Sequence, residues 1–311
     1  MVPAHEPCIA CGVATSHRDA GRDALAGLGL GRCRRCGLRW LVKPPDSDQL
    51  KALYSSGFYE PQSARAGTLV GAIHAANSWL RMHELDGLPP RRLLDIGSGK
   101  GHFLAAASAA GWDVVGVEFA GPGARETEQR YGLPVVLGDI RDVELDGRFD
   151  AVTLWHVLEH LPDPGAVLDR VRGLLEPGGR IVVSVPNLAS VQARLFGRAW
   201  FHLDLPRHIY HFTPVAVRSI LERHGFAIER LSTAYPEMEV LGLVQSMLNA
   251  AGFESDGLYR FVKRDPSISI DGSMLVSFAL AAAIAPAALA WTVIAPVLGT
   301  GASLQVRATV A

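Results

Sequence analysis

The sequence predicts an α/β protein built around a parallel sheet, and two observations carry that prediction. Short apolar segments that read as strands alternate with helical segments between residues 91 and 187. The first of these strands, Leu93–Ile96, runs directly into a glycine-rich turn, Gly-Ser-Gly-Lys-Gly at residues 97–101. Because glycine has no Cβ, a ligand can rest against the main chain of such a turn, where the following helix begins.

The spacing of the glycines indicates the class of ligand. A dinucleotide-binding turn has its third glycine at the position that His102 occupies here. The observed pattern favours S-adenosylmethionine, which has no pyrophosphate to be held, and it places an acid just before the turn to face the ammonium group of that cofactor. The predicted ligands in this segment are Asp95, Gly97, Ser98, Gly99 and Gly101.

Acidic residues also end the next two predicted strands. Glu118 follows the strand that begins at Trp112, about 20 residues after the first glycine, where ribose hydroxyls are bound in this architecture. Asp139 ends the third strand and is suited to accept a hydrogen bond from the adenine amino group. Three further residues near the strand ends complete the predicted cofactor site: Phe119, Ile140 and Trp155.

Together these segments resemble the class I S-adenosylmethionine-dependent methyltransferases, in particular the ubiquinone-methyltransferase-like branch. The resemblance covers residues 75–235 and rests on five motifs: Asp95–Gly101, Glu118, Gly138–Ile140, His156–His160 and Pro177–Gly179. It implies a Rossmann-like, mostly parallel sheet of seven strands whose last strand is antiparallel. It also implies that the methionine part lies at the glycine turn, the ribose at Glu118 and the adenine near Asp139.

The four cysteines of the chain predict a metal site. They form two C-x-x-C-G segments within the first 37 residues, namely Cys8 with Cys11 and Cys33 with Cys36. Four thiolates in two such pairs are typical of a tetrahedral, structural Zn²⁺ in a zinc-ribbon-like module. The spacer between Cys11 and Cys33 is slightly longer than usual, but its glycine-rich middle can form a loop. Disulfides are the alternative, but the amino terminus shows no secretion signal.

We predict five parts along the chain. They are the zinc module at 1–45, a linker and helical approach at 46–90, the methyltransferase core at 91–235, an apolar helical insertion at 236–300 and the final antiparallel strand at 301–311. Three aromatic residues of the linker are candidates for a lid over the cofactor: Tyr54, Phe58 and Tyr59. Ordinary packing of these aromatic side chains is the alternative.

Three histidines are candidates for the base that takes a proton from the methyl acceptor. An imidazole titrates near pH 6.5 and suits that role. The first candidates are His208 and His211, which follow the fifth predicted strand, where the family has substrate-facing loops. His156, which follows the end of an earlier strand, ranks after them. The alternative for His208 and His211 is that their segment only precedes and caps the helix that starts near Thr213 and Pro214.

The carboxyl-terminal part of the chain contains an apolar stretch, residues 274–298, without a charged side chain. Such a stretch is long enough to span a bilayer. Residues 302–310 alternate like a strand, however, and would be the missing last strand of the sheet. Both ends of the stretch would then lie on one side of a membrane, which favours a helical hairpin broken near Pro286 that dips into one leaflet. A single span and buried helices are the alternatives.

The combined expectation is a cytoplasmic methyltransferase that is peripheral or monotopic at the inner face of the cell membrane. Its acceptor would be lipidic or lipid-linked, such as a glycolipid, a polyprenyl-linked sugar or a quinone. A net charge of −1 argues against a nucleic-acid surface. Two alternatives are a soluble O- or C-methyltransferase of a sugar nucleotide and a non-catalytic membrane-associated scaffold with a relic cofactor fold.

Overall fold

A computed structural model describes residues 7–14, 29–46, 49, 53, 68–119, 121–233, 235, 238–262 and 268–311. The candidate lid residues Tyr54, Phe58 and Tyr59 lie outside the described residues. The strands are β1 (Leu30–Arg32), β2 (Arg39–Leu41), β3 (Arg92–Ile96), β4 (Asp113–Glu118), β5 (Val135–Leu137), β6 (Phe149–Trp155), β7 (Leu175–Pro186), β8 (Tyr210–His211), β9 (Phe226–Ser232) and β10 (Ser303–Val310). The α-helices are α1 (Thr68–Met82), α2 (His102–Ala109), α3 (Gly121–Tyr131), α4 (Pro164–Leu174), α5 (Val191–Phe196), α6 (Pro214–Arg223), α7 (Glu239–Ala250), α8 (Gly257–Val262) and α9 (Gly272–Val297).

Seven of the strands form one mostly parallel sheet in the order β5-β4-β3-β6-β7-β10-β9. The pairs β3–β4, β3–β6, β4–β5 and β6–β7 are all parallel. The last pair runs in opposite directions: Ala311, after β10, donates to the carbonyl of Gly225, before β9, at 2.9 Å. Gly301, before β10, lies against the carbonyl of Thr233, after β9. The Rossmann-like fold class predicted from the sequence is confirmed.

The central strands are buried on both faces, which explains their nearly continuous apolar sequences. Ala151, Val152 and Leu154 of β6 are fully buried. Helix α2 packs against this part of the sheet through Phe103 and Leu104, within one apolar cluster that includes β3, β4, β6 and β7. The carboxyl ends of β3, β4 and β6 are therefore fixed by a dense core.

The chain divides into two compact units. The first unit comprises Met1–Leu50, Val185–Ile220 and Leu231–Gln305, and the second comprises Lys51–Ser184, Leu221–Arg230 and Val306–Ala311.

The first unit contains a small three-stranded sheet in the order β1-β2-β8. β1 and β2 pair antiparallel, and β2 continues the sheet to β8, with Arg39 opposite His211 and Trp40 opposite Tyr210. Thr213 caps helix α6 by accepting from the amide of Ala216 at 3.1 Å, and its hydroxyl donates to the carbonyl of Cys36 at 2.5 Å. The segment that contains the cysteines is thus hydrogen-bonded to the start of α6, which is distant in the sequence.

The apolar stretch forms one continuous helix, so the predicted break near Pro286 is wrong. α9 contains both Pro286 and Pro296. A proline removes one backbone hydrogen bond, but the alanine- and leucine-rich flanks favour the helix strongly enough to continue through it. A helical pair does occur, but between α7 and α9, where Val244, Leu248 and Ala288 are buried against one another.

Candidate functional site

The glycine-rich turn after β3 is closely packed on two sides and open at its centre. Gly97, Gly99 and Gly101 have φ angles of 71°, 55° and 71°, which only glycine adopts without strain. A Cβ at Gly97 would lie 2.5 Å from a methyl of Val157, and a Cβ at Gly101 would collide with Thr127, whereas nothing lies within 4 Å of a Cβ at Gly99. The backbone of the turn is therefore uncovered at Gly99, where the sequence predicts that a ligand approaches it.

Glu118 connects the end of β4 to this turn. Its carboxylate is buried and accepts a hydrogen bond from the amide of Gly99 at 2.7 Å. A carboxylate offers lone pairs for several donors, so this bond leaves capacity for a pair of ribose hydroxyls. The glycine turn and Glu118 thus lie together at one edge of the sheet.

Asp95 is buried at the end of β3, and its Oδ1 accepts a hydrogen bond from the hydroxyl of Thr153 at 2.6 Å. Burial raises the pKa of Asp95 to about 7, while the hydrogen bond from Thr153 and the positive charge of Arg81 partly oppose that rise. A cationic ammonium group placed here would find a carboxylate that becomes charged close to neutral pH.

Binding of S-adenosylmethionine is therefore expected to weaken as the pH falls. As the pH falls through 7, a growing fraction of the Asp95 carboxyl is neutral and no longer attracts the ammonium group, so the affinity should fall roughly tenfold between pH 7.5 and pH 6. Calorimetric titration with S-adenosylmethionine at several pH values in this range measures the affinity. The Asp95→Asn variant should bind weakly with little pH dependence, whereas Asp113→Asn, an exposed control, should keep the wild-type curve. An equally steep curve in Asp95→Asn would contradict the assignment.

Arg81, in the last turn of α1, is a residue that the sequence patterns did not indicate. Its guanidinium carbon lies 4.9 Å from the centre of the Trp155 ring, which itself packs edge-on against Phe103 at 5.2 Å. The only signal in the sequence is a lone arginine in the helix before the first strand of the sheet. The positive charge of Arg81 lies close enough to Asp95 to affect its pKa. A guanidinium in this place would suit the carboxylate of the methionine part of S-adenosylmethionine.

The other predicted cofactor residues follow the carboxyl ends of neighbouring strands. The amide of Gly138, just before Asp139, donates to the carbonyl of Glu118 at 3.0 Å. Asp139 accepts from Arg141 at 2.7 Å and 3.0 Å, and this pairing lowers the pKa of Asp139. Ser98, Ile140 and Trp155 are buried and Phe119 is exposed.

His208 and His211 are buried in the first unit. Nδ1 of His208 lies 2.8 Å from the carbonyl of His202, and Nε2 of His211 lies 2.9 Å from the carbonyl of Leu203. Each ring thus donates one N–H to the backbone, which holds the ring in one orientation. A role as the base remains a prediction for both residues. His156 lies in the second unit, directly after β6.

Comparison with known proteins decides the family. A family described as a methyltransferase domain matches residues 74–231, about half of the chain. The chain belongs to this methyltransferase family. The predicted class I S-adenosylmethionine-dependent enzyme is thereby confirmed.

Individual relatives of this methyltransferase agree with that assignment. The ubiquinone biosynthesis O-methyltransferase of Xylella fastidiosa strain 9a5c is 28% identical over 198 residues, which cover 58% of this chain and 78% of the relative. The enzyme of the same name from Methylococcus capsulatus is 31% identical over 163 residues, 49% of this chain and 68% of the relative. One solved structure, a chain of the complex between the Haloferax volcanii Trm112 methyltransferase activator and a methyltransferase, matches with a TM-score of 0.51 at 14% identity. That match covers 86% of this chain and 99% of the other and shows a shared fold.

The methyltransferase also brings its four cysteines together in the first unit. The Sγ atoms of Cys8 and Cys36 lie 3.6 Å apart, as do those of Cys11 and Cys33, and all four lie within 4.8 Å of one another. A zinc ion with bonds of about 2.3 Å to four sulfurs would hold them about 3.8 Å apart. The hydrogen bond between Cys8 and Cys36 lowers the pKa of Cys8 and raises that of Cys36, so the first thiolate of this pair forms at Cys8. The donor set and spacing fit Zn²⁺.

Proposed function

We propose that this methyltransferase works at the cytoplasmic face of a membrane and methylates a lipidic or lipid-linked acceptor, such as a glycolipid, a polyprenyl-linked sugar or a quinone ring. Bound S-adenosylmethionine supplies a methyl group that an oxygen or carbon nucleophile can take. Asp95, Glu118 and the glycine turn would hold that cofactor, and the four cysteines would hold one structural Zn²⁺. The surface of α9 carries the proposal.

α9 is the one helix in the described part of the chain that is long and apolar enough to cross a bilayer, and 11% of its most apolar window is buried. Several of its exposed side chains are large and apolar; for example, 70% of Val293 and 84% of Val297 are exposed. The others in the helix are Leu275, Val276, Leu280, Leu289 and Ile294, and exposed Leu298 directly follows it. A helix on a water-facing surface normally carries polar residues at such positions. We therefore expect this face to contact an apolar environment instead of water.

The buried residues of α9 lie along one face. Met274, Ser277, Ala288 and Ala295 are buried, and their spacing places them on one side of a helix, part of which packs against α7. The remaining surface presents apolar side chains outward along a helix of 26 residues, which is about 39 Å long. The apolar face therefore runs the full length of the helix.

The topology favours association with one leaflet over a crossing. The insertion leaves the sheet at Thr233 and returns at Gly301, and these two residues lie against each other. If α9 crossed a bilayer, the rest of the insertion would have to cross as well. α7 has 12 residues, about 18 Å, which is too short for a hydrocarbon core of about 30 Å.

The names of the relatives support an acceptor of the same kind. Both are called ubiquinone biosynthesis O-methyltransferases, and a quinone with an isoprenoid chain resides in a membrane. An enzyme that binds such an acceptor needs a surface that enters the lipid, and we assign that role to the exposed apolar face of α9.

Charges on the exposed face of α9 are expected to abolish membrane binding. In a vesicle flotation assay, the wild-type protein should float with vesicles of bacterial lipid extract. The triple variant Leu289→Glu, Val293→Glu, Val297→Glu should bind at least tenfold more weakly, because each apolar side chain contributes about 1.5–3 kcal/mol on burial. Val215→Glu places a charge on an exposed apolar position of α6 and should float like the wild type. Flotation of the triple variant at the wild-type level would rule out α9 as the contact.

The acceptor class is tested by mass spectrometry of cell extracts with and without the gene. The proposal predicts that one lipid or glycolipid species is lighter by one methyl group when the gene is absent. A shift of the same mass confined to water-soluble sugar nucleotides would instead establish a soluble methyltransferase, and no shift in either fraction would favour a scaffold.

A further inference from the structure

We propose that Glu159 is a positioning residue for His156, and that this pair is the group that takes the proton from the methyl acceptor. The inference rests on the methyl-transfer activity alone, and it holds whether the acceptor is lipidic or soluble. All of the contacts that support it lie within the second unit.

The backbone at His156 is held in an unusual conformation. The residue directly follows β6, which lies in the sheet between β3 and β7, and its φ angle is 56°. A residue with a side chain is strained in this left-handed region and persists there only where its surroundings require it. The amide of His156 donates to the carbonyl of Ser184 on β7 at 3.0 Å, which keeps the residue at the strand end. Ligands of open α/β sheets bind outside the carboxyl ends of the strands.

Both ring nitrogens of His156 have polar neighbours. Nδ1 lies 3.3 Å from a carboxylate oxygen of Glu159, and Nε2 lies 3.3 Å from the hydroxyl of Ser184. The side chain is 15% exposed, so a small part of the ring can meet another molecule. The Nε2 contact is long for a hydrogen bond to a hydroxyl, and a hydroxyl of the acceptor could replace it.

Glu159 lies near two imidazoles of the second unit: Nδ1 of His156 is 3.3 Å from its carboxylate, and a ring nitrogen of His160 is within 4.8 Å, so His156 is the nearer of the two. The side chain of Glu159 is 0% exposed, and among the described residues no group donates a well-aligned hydrogen bond to either carboxylate oxygen. An isolated buried carboxylate is strongly unfavourable. Because the imidazole of His156 is 3.3 Å away, its proton on Nδ1 would compensate the carboxylate, and Nε2 would be left as the basic nitrogen. A carboxylate in this position also stabilises the imidazolium that forms when Nε2 takes a proton.

The proposed methyl-transfer step balances in protons and in electrons. The acceptor loses a proton to Nε2 of His156 as its oxygen or carbon bonds to the methyl carbon, and the electron pair of the broken carbon–sulfur bond stays on sulfur. The imidazolium then releases its proton to water. Glu159 keeps its charge throughout and orients the ring without touching the acceptor.

The first arm of the test needs no acceptor. Long-range ¹H–¹⁵N spectra of the full-length, zinc-loaded protein report which ring nitrogen of each histidine carries the proton. We expect the neutral ring of His156 to be protonated on Nδ1 in the wild type and to lose that preference in Glu159→Gln. The matched control is Asp169→Asn, which removes the carboxylate that lies 2.8 Å from Nδ1 of His224 elsewhere in the second unit. It should change the spectrum of His224 alone.

The second arm measures methyl transfer from labelled S-adenosylmethionine into a bacterial membrane lipid extract. Glu159→Gln and His156→Gln should each lower kcat about 100-fold or more, the range for loss of a general base. The double variant should lose no more, the affinity for S-adenosylmethionine should stay within threefold, and Glu159→Asp should recover part of the activity.

Two results would overturn the proposal. One is a wild-type tautomer and a wild-type kcat in Glu159→Gln. The other is a Glu159→Gln protein whose melting temperature and cofactor affinity fall together with its kcat, which would show a purely structural role. If the wild-type enzyme methylates nothing in the lipid extract, the lipidic acceptor is wrong, while the spectra still decide the pairing of Glu159 with His156.

Discussion

Replacing Glu118 with alanine is expected to reduce the affinity of the methyltransferase for S-adenosylmethionine by about 100-fold. The buried carboxylate holds the amide of Gly99 at 2.7 Å and is the predicted partner of the ribose hydroxyls. Hydrogen bonds to a charged group contribute about 1.5–3 kcal/mol each, and a loss near 3 kcal/mol corresponds to about two orders of magnitude in Kd. Calorimetric titration measures the affinity, and thermal melting shows whether the variant is folded.

Two further variants make the result specific to Glu118. Glu128→Ala, on the exposed side of α3, removes the same charge and should leave the affinity unchanged. Glu118→Asp keeps the charge but shortens the reach, so its affinity should lie between those of the wild type and Glu118→Ala. A folded Glu118→Ala protein with wild-type affinity would show that the ribose is held elsewhere.

Replacing Cys33 with serine is expected to remove the metal and unfold the amino-terminal module. Structural zinc contributes about 10–16 kcal/mol in small zinc-binding peptides, as much as the whole stability of a typical domain. We expect about one zinc ion per chain in the wild-type protein by elemental analysis and almost none in Cys33→Ser. Limited proteolysis should then cleave the variant within residues 29–45 faster than it cleaves the wild type.

The control for the metal site is Arg35→Ala, which changes an exposed residue between two of the cysteines and should keep the zinc. If the purified wild-type protein contains no zinc and its four cysteines are paired in disulfides, the metal assignment is wrong.

The places of Asp95, Glu118 and the glycine turn in the fold could be predicted because they depend on local sequence. Asp95 and Glu118 each end a strand, and the glycine turn follows its strand directly, so the order along the chain already places them at one edge of a parallel sheet. The last strand, β10, was predictable for a similar reason, since its alternating pattern is complete within a few residues.

The features that were not predicted depend on contacts between distant segments. The guanidinium of Arg81 lies over the ring of Trp155, and the hydroxyl of Thr213 donates a hydrogen bond to the carbonyl of Cys36. In both pairs the two residues are far apart in the sequence. No periodicity marks such pairs. The prediction of a break at Pro286 was wrong because it took only the proline into account. The helix propensity of the residues on both sides and the packing of Ala288 against α7 favour one continuous helix.

The central claim is that α9 brings this methyltransferase to an acceptor in a membrane. The most direct measurement is transfer of a labelled methyl group from S-adenosylmethionine to vesicles of bacterial lipid extract, with the wild-type protein and the triple glutamate variant of α9. We predict that the wild type places label in the organic phase, and that the variant binds S-adenosylmethionine normally but transfers less than about a tenth as much. Equal transfer by both proteins, or label confined to the aqueous phase, would contradict the claim.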